Sequence, residues 1–253
     1  MRDCVWVLDP ASDMLLPFEL GPAFSRYLEG KRPGDPAPPD LPEQAAHILR
    51  YAGLLVPENY KPWRQHEGKK LATEWADFFR KNGYLCIEKL FHPFHIASLR
   101  SYYRELIDTG EFESGEDGDP SYIWMHNEVT TRFFHYQLTS TVSRIVGEPV
   151  QPSYAYVRRY RPGAELRKHV DREQCEFTVS LAVDFIPEPQ TATEWPIYVE
   201  TKKGAVAFRQ ALGDGLLFRG RELPHYRKRL PTGYTSTSVF FHFVPRGFTG
   251  ELD

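Results

Sequence analysis

Cysteine is scarce in this sequence of 253 residues, which contains only Cys4, Cys86 and Cys175. The three are far apart and no Cys-x-x-Cys pair occurs, which excludes a zinc ribbon and a disulfide framework. This pattern fits a reducing compartment, and we expect the protein to be cytoplasmic. The chain begins Met-Arg-Asp-Cys-Val-Trp-Val-Leu-Asp-Pro, without a long apolar run, so we expect no signal peptide.

Long apolar runs and an excess of one charge are also missing. No stretch approaches the roughly 18 uninterrupted apolar residues of a transmembrane helix, so we expect neither a membrane span nor a membrane partner. The 31 basic and 34 acidic residues give a net charge of −3, which argues against nucleic acid as a partner. Basic residues are nevertheless concentrated at positions 158–172 and 219–229. These are either solvated loop charges or part of a site that binds an anion.

The hydrophobic pattern changes along the chain. Apolar residues follow a helical period over 71–81, 93–109 and 131–146, and from about 151 they alternate with a period of two. Many short strands separated by glycine and proline turns indicate a sandwich or jelly roll. Because helices come first and strands last, the predicted fold class is α+β. We predict a small N-terminal domain over 1–57, a polar linker over 58–70 and a main domain over 71–253.

One short stretch has the spacing of a metal site. Residues 160–171 read Tyr-Arg-Pro-Gly-Ala-Glu-Leu-Arg-Lys-His-Val-Asp and end in His-x-Asp. Residues i and i+2 of a strand point to the same side, so His169 and Asp171 can bind one ion together. A third ligand from His225 would complete a face of two histidines and one carboxylate, which suits non-heme Fe(II) with open positions. The alternative is that these are polar surface residues at a strand end.

Residues 4–56 have a pattern of their own, in the order strand, strand, helix, loop, helix. The loop carries four prolines within residues 31–40, and the second helix runs into Gly-Leu-Leu-Val at 53–56. This order resembles the small winged-helix peptide-recognition domains of peptide natural-product pathways, the family of the PQQ peptide chaperone. That family usually has another helix where this chain has the proline-rich loop. The resemblance implies a winged-helix-like α/β unit that recognises a peptide, and the alternative is a cap that packs on the main domain.

The stretch 160–171, the Gly-Asp turn at 213–214 and His225 together resemble the Fe(II)/2-oxoglutarate-dependent dioxygenases, over roughly residues 75–245. The resemblance implies a double-stranded β-helix, a form of jelly roll, in which His169, Asp171 and His225 hold the iron. Fe(II), the co-substrate 2-oxoglutarate and O2 are then expected, and the reaction oxidises an unactivated C–H bond. Aspartate at position 171, rather than glycine or alanine, favours hydroxylation over halogenation.

The residues expected to bind 2-oxoglutarate match the family less completely. Tyr160, nine residues before the first histidine, stands where the family has its co-substrate tyrosine. The cation for the far carboxylate usually lies about ten residues after the distal histidine, where this chain has Thr235. The candidates are Arg227, which we favour, Arg158, which shares a strand face with Tyr160, and Arg229. Arginine suits the task because its guanidinium binds a carboxylate in a bidentate fork.

Three further residues are candidates for contact with the substrate or for shaping the site. Arg172 and Gln174 follow Asp171 directly, and Tyr156 lies on the predicted strand of Tyr160. Given the N-terminal resemblance, we expect the substrate to be an amino acid, in a peptide or bound to a carrier. The sequence leaves the oligomeric state open.

Two other functions also stay open. The nucleic-acid dealkylases of the same family share the motif, but that branch has two arginines on the last strand, and residues 236–244 have none. A cupin-like binding or regulatory module without redox chemistry would explain the missing cation at position 235. The intact His169, Asp171 and His225 argue against it.

Overall fold

The structure is a computed structural model, and it describes residues 3–9, 14–20, 22–31, 35–51, 55, 73–91 and 93–253. The chain divides into two compact units, residues 1–73 and 74–253. The predicted linker over 58–70 lies outside the described residues.

The first unit contains a β-hairpin and two helices in its described residues. The antiparallel strands are β1 (Asp3–Asp9) and β2 (Met14–Leu20), and the helices are α1 (Pro22–Leu28) and α2 (Glu43–Tyr51). Proline opens α1 at no cost in hydrogen bonding, because the first N–H of a helix has no partner within it. The elements follow the predicted order of strand, strand, helix, loop and helix.

The second unit begins with helices and continues with strands, as predicted. Helix α3, over residues 73–82, leads into it across the boundary. The elements that follow are β3 (Tyr84–Ile87), α4 (Pro93–Asp108), β4 (Glu113–Ser114), a 3-10 helix (Glu116–Gly118), β5 (Tyr122–His126), α5 (Val129–Val146), β6 (Val150–Tyr160), β7 (Leu166–His169), β8 (Phe177–Ile186), β9 (Ile197–Thr201), β10 (Gly204–Phe208), β11 (Gly215–Arg219), β12 (His225–Arg227) and β13 (Thr235–Pro245). In the described ranges, no helix combines the length and the apolar character that crossing a membrane would need.

Two antiparallel sheets form the body of the second unit. The larger has seven strands in the order β3-β11-β8-β13-β6-β5-β4, and the smaller has four in the order β10-β9-β12-β7. Helix α4 contacts β8, and α5 contacts β6 and β13, so the helices pack on the larger sheet. This arrangement confirms the predicted α+β class with a double-stranded β-helix. The uninterrupted series of strands begins at Val150, close to the predicted start at about 151, although β3, β4 and β5 precede it among the helices.

Strand β8 is buried along nearly its whole length, including the side that alternation makes polar. Its Thr178 and Ser180 face the inside of the jelly roll rather than solvent, since they pair in register with His242 and Phe240 of β13. The register then shifts between Thr237 and Ser238 of β13, and this irregularity exchanges the two faces of β8. The polar side chains of this strand therefore face the interior of the jelly roll and not solvent.

Beyond the register shift, Asp184 of β8 lies on the opposite face and joins the sheet to α4. Arg104 donates to both carboxylate oxygens over 2.7 and 2.8 Å. Arg100 of the same helix and Arg159 of β6 each approach to 3.1 Å. Asp184 is 2% exposed, so one buried carboxylate is shared by three arginines from two elements.

Candidate metal centre

The three predicted metal ligands meet where β7 and β12 pair. His169 is the last residue of β7 and lies opposite His225, the first residue of β12, while Asp171 follows two residues after His169. The Nε2 atoms of His169 and His225 lie 3.7 and 3.4 Å from Oδ1 of Asp171. Ligand atoms of the three residues all lie within 4.8 Å of one another. One ion can therefore contact two imidazoles and one carboxylate.

Backbone carbonyls select the tautomer of both histidines. Nδ1 of His169 lies 2.7 Å from the carbonyl oxygen of Arg167, and Nδ1 of His225 lies 3.0 Å from that of Leu223. Because a carbonyl only accepts, each Nδ1 carries the proton and each Nε2 keeps its lone pair for a metal. Burial and the neighbouring His225 lower the pKa of His169, which keeps that ring neutral at pH 7.

The second oxygen of Asp171 is held inside the protein. Thr178 donates its hydroxyl proton to Oδ2 over 2.7 Å, and the same hydroxyl lies 3.0 Å from Nδ1 of His242. Burial alone raises the pKa of Asp171, but the neighbouring imidazoles of His225 and His242 and the hydrogen bond from Thr178 together lower it to about 2. The carboxylate is ionised at neutral pH, with Oδ1 facing the two ligand histidines.

Gly220 packs its backbone against this carboxylate. Its carbonyl accepts a hydrogen bond of 2.9 Å from the N–H of Asp171. A Cβ at position 220 would overlap Oδ2 of Asp171 and would come within 2.6 Å of the carbonyl oxygen of Cys175. The close approach therefore requires glycine here, since the side chain of any other residue would displace the ligand.

A buried arginine lies two residues beyond His225. Arg227 is 3% exposed, and its Nη1 donates to the carbonyl oxygen of Trp195 over 2.6 Å. Its Nε has no hydrogen-bond partner, and no acidic side chain of the described residues pairs with it. Burial lowers the pKa of Arg227 to about 10, so the group is still charged at pH 7. A buried charge of this kind is costly unless an anion joins it.

A hydroxyl near this arginine also lacks a partner. Tyr160 is 2% exposed, and its ring meets that of Trp195 at 4.9 Å between centroids, while the Arg227 guanidinium lies 4.7 Å from the Trp195 ring centroid. The hydroxyl of Tyr160 is buried and forms no hydrogen bond with the described residues, so it can donate to an acceptor that the chain itself does not provide. Thr235 lies on the other face of β13, because its neighbour Ser236 pairs with Tyr160.

The other two candidate cations lie in different surroundings. Arg158 is half-buried on β6, with its guanidinium carbon 4.1 Å from the ring centroid of Tyr122 and 5.8 Å from that of Tyr160. Arg229 is exposed and lies beside Gly163. Of the three candidates, Arg227 is therefore the one that is fully buried with Tyr160.

The sequence matches no family model and no curated protein, but the structure is similar to several solved structures. The non-heme α-ketoglutarate-dependent epimerase SnoN from nogalamycin biosynthesis gives a TM-score of 0.58 at 13% identity, over 70% of this chain and 83% of SnoN. A prolyl-4-hydroxylase of Pseudomonas putida gives 0.56 at 16% identity, over 70% and 100%. A prolyl hydroxylase of Trichoplax adhaerens, in complex with a peptide fragment of hypoxia inducible factor, gives 0.59 at 14% identity, over 72% and 92%.

The fold is that of the Fe(II)/2-oxoglutarate-dependent oxygenases. This confirms the resemblance predicted for residues 75–245. No comparison supports the resemblance predicted between residues 4–56 and the winged-helix domains.

The three candidate substrate residues lie in different surroundings. Arg172 is exposed, and Gln174 is half-buried, with its backbone carbonyl accepting from the Ser153 hydroxyl over 2.6 Å. Tyr156 stacks on Phe240 at 4.9 Å between ring centroids. None of the three hydrogen-bonds to a metal ligand within the part of the chain that the structure describes.

A second group of potential metal ligands in the second unit, residues 74–253, also includes Asp171. Atoms of Asp171, Cys175 and His242 also lie within 4.8 Å of one another. Burial raises the pKa of the Cys175 thiol to about 12, and the thiol lies 3.2 Å from the Tyr154 hydroxyl. Because metals bind the thiolate, this protonated sulfur is a poor ligand. The group of His169, Asp171 and His225 is the better candidate for a metal site.

Sequence reasoning missed Thr178, His242 and Gly220, which all support Asp171. Thr178 and His242 meet only because β8 and β13 pair in one particular register. One signal was present: His242 interrupts the apolar run Val-Phe-Phe-His-Phe-Val, and a buried imidazole needs a hydrogen-bond partner.

Proposed function

We propose that this protein is a non-heme Fe(II)- and 2-oxoglutarate-dependent oxygenase that hydroxylates an unactivated C–H bond of an amino acid, within a peptide or on a carrier. The observation that carries the proposal is Arg227. It is a buried cation without an acidic partner in the described chain, close along β12 to the candidate ligand His225. A pocket that needs an anion, next to a metal site, fits a co-substrate that bridges the two.

The residues present fit Fe(II). Two neutral imidazoles and one carboxylate on one face are the donor set that non-heme Fe(II) oxygenases use, with the remaining positions open. Thr178 and Gly220 occupy the surroundings of Oδ2, so Asp171 offers its other oxygen to the ion. The backbone bonds to His169 and His225 hold both Nε2 atoms toward the same point.

The residues present also fit 2-oxoglutarate. Nε of Arg227 and the hydroxyl of Tyr160 are buried donors without acceptors among the described residues. A carboxylate that reaches them would be held by one charged and one neutral hydrogen bond. Thr235 occupies the position where the resemblance places a cation, and Arg227 of β12 supplies the charge instead.

When bound, Fe(II) and 2-oxoglutarate would supply the oxidising chemistry, in which O2 oxidises the substrate C–H bond while 2-oxoglutarate loses CO2 and becomes succinate. The protein's own residues orient the metal ligands and exclude water from the site. The carbonyls of Arg167 and Leu223 fix the imidazoles, and Thr178 fixes the carboxylate. Tyr156 and Phe240 line the inner face with aromatic surface, which keeps the reacting groups away from bulk solvent.

The ligands of similar structures and the division of the chain into two units support the proposed substrate class. The Trichoplax hydroxylase was solved with a peptide fragment, whereas another structure of SnoN holds Fe3+, α-ketoglutarate and nogalamycin RO. The fold thus serves peptides and small molecules alike. We favour an amino acid within a peptide because a separate compact unit, residues 1–73, precedes the oxygenase unit and can bind the rest of such a substrate.

The test is an anaerobic titration of the protein with Fe(II) and 2-oxoglutarate. The wild type should develop the metal-to-ligand charge-transfer band that appears only when the co-substrate chelates iron. Arg227→Gln should weaken 2-oxoglutarate binding by about 30-fold or more, corresponding to roughly 2 kcal/mol or more for a lost charge pair. Arg227→Lys, which keeps the charge, should recover part of the affinity.

Arg229→Gln is the matched control, because Arg229 is an exposed arginine on the same segment. Its 2-oxoglutarate affinity should stay within about twofold of the wild type, as expected for a solvated charge. Absence of the band in the wild type, or equal losses in the two arginine variants, would refute the proposal.

A non-catalytic module is less well supported, because it rested on the missing cation at Thr235, and Arg227 can take that role. We also propose a cytoplasmic location. Among the described residues, Cys86 and Cys175 are free thiols, as is usual in a reducing compartment.

A further inference from the structure

Arg158 is a second cation on the inner face of the larger sheet, and the proposed chemistry leaves it without a role. Its guanidinium carbon lies 4.1 Å from the ring centroid of Tyr122 and 5.1 Å from that of Tyr156. Its Nε is buried and has no hydrogen-bond partner. The aromatic faces position the guanidinium by cation–π attraction and leave its Nε–H free to donate.

No acidic side chain of the described residues forms an ion pair with Arg158. The exposed Asp119 has its pKa lowered mainly by hydrogen bonds with Ser121, and the charge of Arg158 adds a smaller effect. Asp119 is in solvent and contacts the guanidinium at no ion-pair distance. Arg158 is therefore a half-buried positive charge that lacks a compensating carboxylate in the described chain.

Arg158 and Arg227 lie in different surroundings. Arg158 packs on Tyr156, whose ring centroid lies 5.5 Å from that of His242, the imidazole that contacts the Thr178 hydroxyl beside Asp171. Arg227 packs instead on Trp195. Arg158 is half-buried and can be reached from solvent, whereas Arg227 is closed off at 3% exposure. The proposed function gives Arg227 to the co-substrate and leaves Arg158 for another anion.

Arg158 and Arg227 are two positive charges without an acidic partner in the described chain, and the far carboxylate of 2-oxoglutarate can pair with only one of them. The aromatic rings around Arg158 provide a low-dielectric environment in which an unpaired charge strongly favours an anionic partner.

We infer that Arg158 binds a carboxylate of the substrate, so that the molecule oxidised is an organic acid, either a free amino acid or a peptide with a free carboxylate. The inference rests on the proposed function and narrows its substrate class. A guanidinium fixed between two tyrosine rings presents a preorganised fork to a carboxylate. A substrate without that group, such as an amino acid esterified to a carrier and neutral elsewhere, would leave Arg158 unpaired.

The experiment measures binding and not turnover. The anaerobic complex of full-length protein, Fe(II) and 2-oxoglutarate is titrated with the proteinogenic L-amino acids and with their α-amides. A second panel uses N-acetylated tripeptides with free or amidated C-termini. A change in the charge-transfer band reports occupation of the substrate site. At least one free acid should bind, and its amide should bind roughly 10- to 100-fold more weakly, as for the loss of a charge-assisted hydrogen bond.

Arg158→Gln supplies the second half of a double-mutant cycle. It should weaken binding of the best free acid by the same roughly 10- to 100-fold and leave the affinity for the matching amide within about twofold. The reason is that the amide and the variant each remove the same interaction. Affinity for 2-oxoglutarate should stay within about threefold. Arg161→Gln, an exposed arginine just after β6, should leave every value within about twofold. If the tightly bound acid is found among the amino acids, the substrate is a free amino acid. If it is found among the tripeptides, the substrate is a peptide.

Each other result overturns the inference. Acids and amides that bind equally, no acid that perturbs the band, or an Arg158→Gln variant that weakens acid and amide alike would each show that no carboxylate is bound there. A loss of 2-oxoglutarate affinity in Arg158→Gln as large as that in Arg227→Gln would assign Arg158 to the co-substrate. A wild type without any band would instead refute the proposed function, which keeps the two failures distinct.

Discussion

Thr178 determines which oxygen of Asp171 a metal can reach. An ionised carboxylate only accepts, so the Thr178 proton goes to Oδ2, and Nδ1–H of His242 must then donate to the Thr178 oxygen. Burial lowers the pKa of His242 to about 4, so this imidazole is neutral and needs one fixed tautomer. The directions of the two hydrogen bonds that link Asp171, Thr178 and His242 therefore follow from the negative charge of Asp171.

Thr178→Val should therefore weaken metal binding while keeping the shape of the side chain. Loss of an outer-shell partner of a ligand typically lowers metal affinity by about 10- to 100-fold, and we expect that range here. Competition with a fluorescent chelator for Fe(II) or Co(II) measures it. Thr139→Val is the control, because that hydroxyl bonds only the carbonyl of His135 within α5. Equal metal affinities in the two variants would contradict this role of Thr178.

The metal ligands could be predicted from the sequence because His-x-Asp is local and strand geometry puts both side chains on one side. Thr178 and Gly220 could not, because they reach Asp171 through the pairing of β8 and through a backbone contact. The sequence indicates Arg227 as the cation for 2-oxoglutarate only because it follows His225 closely. What the sequence could not provide is its burial, which is the property that makes it a candidate for binding an anion.

At the scale of elements, the longer helices and strands were predictable, and the two short strands that carry the ligand histidines were not. α4 and α5 match the predicted helices over 93–109 and 131–146 within two residues at each end. β7 and β12 have four and three residues, too few for any periodicity, yet they carry His169 and His225. These strands exist because their neighbours in the smaller sheet complete their hydrogen bonds, which is tertiary information.

The attachment of α4 to the larger sheet depends on Asp184. Desolvation raises its pKa, but hydrogen bonds from Arg104 and the charges of three arginines outweigh it, so the pKa lies below the ordinary value. A lowered pKa means that the stabilisation is complete above the unfolded-state pKa of about 3.9 and is lost as the pH falls through the folded-state value. This ion cluster thus contributes to stability at neutral pH and fails in acid.

Asp184→Asn should lower the free energy of unfolding at pH 7 by about 2–3 kcal/mol, less than for a fully buried pair because Arg104 is partly solvated. The loss relative to wild type should shrink below about pH 4, where the wild-type carboxyl also becomes protonated. Urea unfolding at several pH values measures both effects. Glu188→Gln is the control, since Glu188 pairs with Arg100 in solvent and should cost less than about 1 kcal/mol. A difference between Asp184→Asn and wild type that does not change with pH would exclude the ionic mechanism.

At the scale of the whole molecule, the candidate site belongs to one compact unit. The ligands, their hydrogen-bond partners, Arg158 and Arg227 all lie within residues 74–253. Residues 1–73 supply none of these groups. The proposal of a peptide substrate gives residues 1–73 a separate task, which is to bind the rest of that substrate.

Removal of residues 1–70 should therefore separate the two tasks. The remaining chain should bind Fe(II) and 2-oxoglutarate within about twofold of full-length protein, because every ligand and hydrogen-bond partner named above lies within residues 74–253. Binding of single amino acids should likewise be unchanged, whereas a peptide substrate should bind at least about tenfold more weakly, since one of two linked contacts is gone. The charge-transfer titration measures all three, with circular dichroism as the check on folding. If the shortened, folded chain binds peptides as well as the full chain does, residues 1–70 do not recognise the substrate, and the amino acid is bound by the oxygenase unit alone.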